Sequence, residues 1–194
     1  ADLEVTRGDP GAEMMRVGLG LLRPDFLATE GLGRALANTL AFAFQGVALG
    51  AAAGFLLALF WHRRAVRAGA ASVRAVHELF WGLLLMQVTG LSTLTGVLAI
   101  ALPYAGIFAK VFGEFLEEAA PAPDGALPDD RRRLARFFYA RLPLIWASCK
   151  AYTGYRLECA LRASAILGFI GLPTLGFHLE TAFREGHYSE GAAL

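Results

Sequence analysis

The chain has 194 residues, of which 56% are hydrophobic and 18% charged, with a mean hydropathy of +0.47. A charged fraction below the roughly 25% of soluble domains argues against an ordinary soluble protein and for one membrane domain. A formal net charge of +1 argues against a nucleic-acid partner.

Residues 1–29 carry charges of both signs (Asp2, Glu4, Arg7, Asp9, Glu13, Arg16, Arg23, Asp25) and several helix breakers. They are expected to form an extracytoplasmic N-terminal segment, with 14–22 apolar enough to lie on a membrane surface. Thr29 can cap a helix over 30–61, whose uncharged part, 35–61, exceeds the ~20 residues that one membrane pass needs. Within it Gly46, Gly50 and Gly54 recur every four residues and make a bare ridge for helix packing.

Arg63, Arg64, Arg67 and Arg74 follow this first apolar run. The second run, 79–109, is followed by Arg131, Arg132, Arg133, Arg136 and Arg141. Short loops rich in Lys and Arg face the cytoplasm. An even number of passes must then separate the two loops, which predicts passes over about 72–89 and 92–117 and leaves the N-terminus outside. Their turn falls at Thr89, Gly90, Leu91 and Ser92, where Gly frees the backbone and Ser can cap the next helix. Pro103 predicts a kink in the second of these passes, and Glu78 and Lys110 are placed to pair across them.

Pro121, Pro123, Gly125 and Pro128 make 119–130 a breaker-rich segment, followed by a basic helix over 131–141. A further pass is expected over about 138–169, ended by Gly168, Gly171, Pro173 and Gly176. A short amphipathic helix at 178–186 and the start of another, truncated helix at about 188–194 complete the chain. At least one more helix is expected beyond Leu194. Residues 30–194 thus read as a single transmembrane domain.

The pass over 138–169 contains Lys150, Arg156, Glu158 and Arg162. Charges at membrane depth are costly and normally face a bundle interior or a watery path. Glu158 and Arg162 lie four apart and can pair on one helix face, with Arg156 on another. Two uses stay open for the three: a buried ion pair that pins helix packing, or the lining of a path for an anionic solute. Cys149 and Cys159 lie ten apart in one predicted helix, roughly 15 Å, beyond disulfide reach. His62, His77, His178 and His187 show no metal spacing, and no phosphate-cradling Gly-x-x-x-x-Gly-Lys-Ser/Thr or Ser–His–acid set is present. No catalytic residue, metal or cofactor is expected, and the chain does not read as an enzyme.

Bacterial ABC importer permeases carry a cytoplasmic loop reading Glu-Ala-Ala, three residues, Gly, nine residues, an apolar residue, any residue, then Leu-Pro. Leu142 and Pro143 set the register here, and the Glu-Ala-Ala positions fall on Asp124, Gly125 and Ala126, the Gly on Asp130 and the apolar position on Ala140. The flanks continue in step: Arg74, Glu78, Leu79 and Trp81; Gly90 and Gly96; Gly106, Lys110 and Glu117; Tyr155, Arg156, Glu158, Arg162 and Gly168. Together they resemble the permease subunit of phosphonate-type ABC importers, over about 31–194. The resemblance implies an all-α, polytopic membrane helix bundle with a short cytoplasmic coupling helix in the loop 119–137. It implies Asp124, Gly125, Ala126, Leu127, Asp130, Arg131, Arg132 and Arg133 as ATPase-coupling residues, and a multi-pass protein of the bacterial inner membrane. The implied partners are a separate ABC ATPase subunit, an extracytoplasmic solute-binding protein, a second permease copy (a homodimer) and membrane lipid. The implied solute is a phosphonate-like or related oxyanion.

Two alternatives are weighed against it. A gradient-driven secondary transporter or channel subunit would show inverted repeats with paired broken helices, and none is visible. A purely structural membrane subunit gives no reason for Arg156, Glu158 and Arg162.

Overall fold

A computed structural model describes residues 10–22, 32–119 and 137–192. Among them all regular structure is helical, the class expected from the sequence: α1 Pro10–Leu22, α2 Leu32–Ala58, α3 Arg64–Ala75, α4 Glu78–Thr89, α5 Thr93–Glu118, α6 Leu142–Ile166, α7 Leu175–Glu185 and α8 Tyr188–Gly191. A π-turn at Phe137–Arg141 precedes α6 and a 3-10 turn at Leu167–Ile170 follows it. Two of these helices, α2 with 27 residues and α5 with 26, are long and apolar enough to cross a membrane alone. A third span exists if Leu142–Ile170 and Leu175–Glu185 count as one bent pass. The chain divides into two compact units, Leu40–Ser164 and the combination of Ala1–Thr39 with Ala165–Leu194.

The larger unit is built on α5, where Ala99, Ile100, Phe108 and Ala109 are fully buried. The glycine ridge of α2 lies against it. A Cβ added at Gly46 would stand 2.7 Å from the Ile100 Cβ, at Gly50 2.9 Å from the Tyr104 Cβ, and at Gly54 2.4 Å from the Phe108 Cβ. Only hydrogen in place of a side chain admits such an approach, and in lipid, where no hydrophobic force draws helices together, close packing of this kind replaces it. Aromatic rings fill the space beside the ridge: Phe55 meets Phe112 at 6.3 Å, and Phe108 meets Phe112 at 5.1 Å between centroids. The helix α5 runs unbroken through Pro103, although that residue lacks an N–H for the ladder.

The apolar run expected to make one pass over 72–89 is divided. It holds the end of α3, an extended pair at Val76 and His77, and the 12-residue α4. At about 18 Å, α4 is shorter than the ~30 Å hydrocarbon core. His77 causes the restart, because its Nδ1 accepts the Leu79 N–H at 3.2 Å and caps α4. Trp81 ties the halves together by donating from Nε1 to the Val73 carbonyl at 3.2 Å.

The charged helix α3 is not free of the bundle. Ala70 packs at Gly106, and Trp61 lies over Gly113, where an added Cβ would come within 2.4 Å of the indole. Arg67 donates from Nε to the Trp61 carbonyl at 2.8 Å and forms an ion pair with Glu117. At the other end, Gly90 turns the chain with φ 68° and Ser92 caps α5. The buried Thr95 sits inside this turn, its Oγ1 donating to the Gly90 carbonyl at 2.6 Å, with Thr89 Oγ1 at 2.7 Å and Ser92 Oγ at 3.0 Å.

In the smaller unit, Gly171 (φ 94°) ends the 3-10 turn, and Asn38 donates from Nδ2 to the Pro173 carbonyl at 2.9 Å. Thr39 Oγ1 accepts from the Leu175 N–H at 3.0 Å and so caps α7. That cap starts the helix at Leu175, three residues ahead of the expected 178. Gly20 lets Tyr188 of α8 approach α1, where an added Cβ would meet the Tyr188 Cβ at 2.5 Å.

Replacing Gly54 or Gly46 with Val should destabilise the larger unit by about 1–3 kcal/mol through overpacking against α5. Gly69→Ala, with nothing within 4 Å of the new Cβ, should be neutral or slightly stabilising. Thermal unfolding of the detergent-solubilised protein distinguishes them, and equal melting of Gly54→Val and wild type would contradict the close contact.

Candidate functional site: a guanidinium among tyrosines

The helix α6 packs through Ile145, Cys149, Ala160, Ala163 and Ser164. Along its opposite side Ala147, Ala151, Gly154, Tyr155, Glu158 and Arg162 are exposed. Arg156 lies between these faces and is partly buried. It is 14 residues past Leu142, about 21 Å along a helix of 25 residues, and so sits near the middle of α6.

Three tyrosines surround it. The Arg156 guanidinium carbon stands 5.2 Å from the centre of the Tyr152 ring, 5.7 Å from that of Tyr155 and 6.0 Å from that of Tyr104. Its Nε donates to the Tyr152 hydroxyl at 2.9 Å. The spacing of Tyr152 and Arg156, one helical turn, produces that bond, while Tyr104 comes from α5 and is buried. Phe108 holds Tyr152 in place with an edge-on contact at 5.9 Å. Among the described residues no carboxylate lies within ion-pair distance of Arg156, and no protein group accepts from its two terminal nitrogens. Cation–π contacts of this kind contribute about 0.5–2 kcal/mol each and leave the charge in place.

The other charges take different positions from those expected. Glu158 and Arg162, which the four-residue spacing could pair, are both exposed, and no ion pair joins them among the described residues. The spacing brings their backbones to one face but leaves both side chains open to the surroundings. They therefore form no buried ion pair, and neither reaches Arg156. Glu78 and Lys110 also remain apart: Glu78 Oε1 faces His77 Nε2 at 3.6 Å, and Lys110 Nζ faces Glu114 at 3.6 Å, one turn along its own helix. The implied coupling residues Asp124, Gly125, Ala126, Leu127, Asp130, Arg131, Arg132 and Arg133 lie outside the described residues. Gly46, Gly50 and Gly54 line the α2–α5 contact.

Sequence reasoning named Tyr155 only within the family resemblance and passed over Tyr104 and Tyr152. Tyr152 and Tyr155 were accessible in principle from their helical spacing to Arg156, whereas Tyr104 is more than forty residues away and no local signal links it. Among the described residues no group of His, Cys, Asp and Glu could hold a metal. An open groove lined by Leu40, Ala41, Phe44, Leu157 and Leu161 is wholly apolar in its lining residues. It suits a lipid chain or another helix, not a charged solute. What the Arg156 arrangement can do chemically is hold an anion, because an arginine does not lose its proton and its free edge presents planar N–H donors.

Comparison with known proteins gives the same direction. No protein-family model matches the chain, and no solved structure matches it. It is 29% identical over 181 residues to the phosphite transport system permease protein PtxC of Stutzerimonas stutzeri, covering 88% of this chain and 66% of that protein. It is 33% identical over 163 residues to the phosphate-import permease protein PhnE of Mycolicibacterium smegmatis, covering 79% of this chain and 31% of that protein. The chain thus spans about two thirds of one of these curated relatives and about a third of the other. It is a helical, membrane-spanning homologue of transport permease proteins. The curated homologues are, by name, permeases for phosphite and phosphate.

If Glu158 and Arg162 are independent, a double-mutant cycle of Glu158→Gln and Arg162→Gln should give a coupling energy within about 0.5 kcal/mol of zero. Unfolding in detergent measures it, and a coupling well above that value would restore the ion pair.

Proposed function

We propose that the chain is the membrane-spanning permease part of an ATP-driven importer for a small phosphorus oxyanion in the bacterial inner membrane. The observation that carries this is the similarity to permeases named for phosphite and phosphate, which runs over 181 residues and so includes the apolar helices. The degenerate Glu-Ala-Ala loop supports it from within the sequence.

On this reading the chain performs no chemistry of its own. ATP hydrolysis belongs to a separate ATPase subunit, which the loop 119–137 meets through Asp124–Arg133 of the sequence. Closure of the ATPase on nucleotide moves that loop, and the helices on either side, α5 and α6, carry the motion into the bilayer. A second copy of the chain completes the solute path between the two permeases. An extracytoplasmic binding protein delivers the solute to the opposite surface, around 1–34 and 177–189.

Replacing 124–133 with a Gly/Ser linker of the same length should abolish co-purification of the ATPase encoded beside the full-length gene while leaving the permease folded. Retention of the ATPase by the linker variant would contradict the coupling assignment. Failure of the native, folded permease to retain any ATPase would contradict the importer reading itself.

A further inference from the structure

We infer that Arg156, backed by Tyr152 and Tyr104, is the oxyanion-binding station of the solute path, and that it takes a small tetrahedral phosphorus oxyanion such as phosphite on its free guanidinium edge. The inference rests on the importer reading and names the site and ligand chemistry within it.

A permanent cation in the middle of a membrane-spanning helix is unfavourable unless something answers its charge. For two other cations of the larger unit the answer is a carboxylate: Arg67 has Glu117, and Lys110 has Glu114. Among the described residues Arg156 has neither a carboxylate nor a carbonyl on its terminal nitrogens, but three π faces around its flank. The faces hold the guanidinium in position without satisfying its outward N–H groups. A fixed planar fork with unused donors matches the paired oxygens of a phosphorus oxyanion in a bidentate fashion.

Tyr152 adds a second donor. Its hydroxyl oxygen accepts from Arg156 Nε, so its own proton remains available to an anion beside the guanidinium. The arrangement rejects cations by charge and offers no apolar pocket to a neutral solute. It is also reversible by construction. One guanidinium and one hydroxyl, with no enclosing backbone cradle, bind an oxyanion weakly enough to release it, as a path requires.

Two other charges of α6 do not compete for this role. Glu158 and Arg162 share the exposed face and present opposite signs one turn apart, which leaves no net attraction for an anion there.

The test uses the full-length permease assembled with its ATPase and binding protein in proteoliposomes, with ATP-driven uptake of radiolabelled phosphite as the readout. Arg156→Gln should lower uptake at least about tenfold, the scale of one lost charge-assisted hydrogen bond, with the complex still assembled. Tyr152→Phe should lower uptake less, Arg156→Lys should recover part of it as a point charge, and Arg162→Gln should match wild type. Uptake by Arg156→Gln equal to wild type overturns the inference. So does loss of assembly and basal ATPase in both Arg156→Gln and Arg156→Lys, which would make the residue structural. Absence of phosphite uptake by the assembled wild-type complex instead overturns the importer reading beneath it.

Discussion

The distance at which α2 can approach α5 governs the rest of the larger unit. Three glycines spaced by four present backbone to Ile100, Tyr104 and Phe108, and each side chain is held where a Cβ on the facing helix would collide with it. Because Tyr104 and Phe108 are fixed on one side by this contact, their rings project toward α6 on the other. Phe108 then meets Tyr152 edge-on, and Tyr104 and Tyr152 together flank Arg156. The polar site is in this sense a consequence of bare backbone on α2, whose Gly50 admits Tyr104. Close-packed interiors transmit such constraints because there is no slack to absorb them.

On its other side, α5 is matched by two short helices instead of one long one. Residues 64–89 and 93–118 have equal length, yet only the second stretch forms a continuous helix. The division separates chemistry as well as geometry: α3 carries Arg64, Arg67 and Arg74, while α4 after Glu78 is uncharged. Arg67 binds to Trp61 and Glu117 at the charged end of the pair, and Thr95 gathers Thr89, Gly90 and Ser92 at the apolar end. The buried Thr95 hydroxyl thus has its partners, as a polar group removed from water requires.

Much of this was legible in the residues. Long uncharged runs announce α2 and α5, the four-residue glycine period announces a packing ridge, and Gly90 with Ser92 announces a turn and a cap. The break at Val76–His77 was not, because no proline or glycine marks it. It depends on a histidine side chain that caps α4 and on a tryptophan that reaches back to α3. At Glu158 and Arg162 spacing left two uses open. A four-residue interval establishes a shared face but not a bond, and the burial pattern of α6 puts that face outward. The tyrosines around Arg156 come from two helices far apart in sequence, so only folding could bring them together.

Native Cys159 offers the most direct test of whether Arg156 faces a watery path, since it follows Arg156 by three residues on α6 and is partly exposed, whereas Cys149 is buried. The assembled transporter in liposomes, carrying Cys149→Ser, would be treated with a membrane-impermeant, negatively charged thiol reagent, with and without phosphite. The account predicts that Cys159 reacts from water and that phosphite slows the reaction. A Cys159 that is inert to the aqueous reagent but open to a lipid-soluble maleimide would place this stretch of α6 against the bilayer and contradict the path.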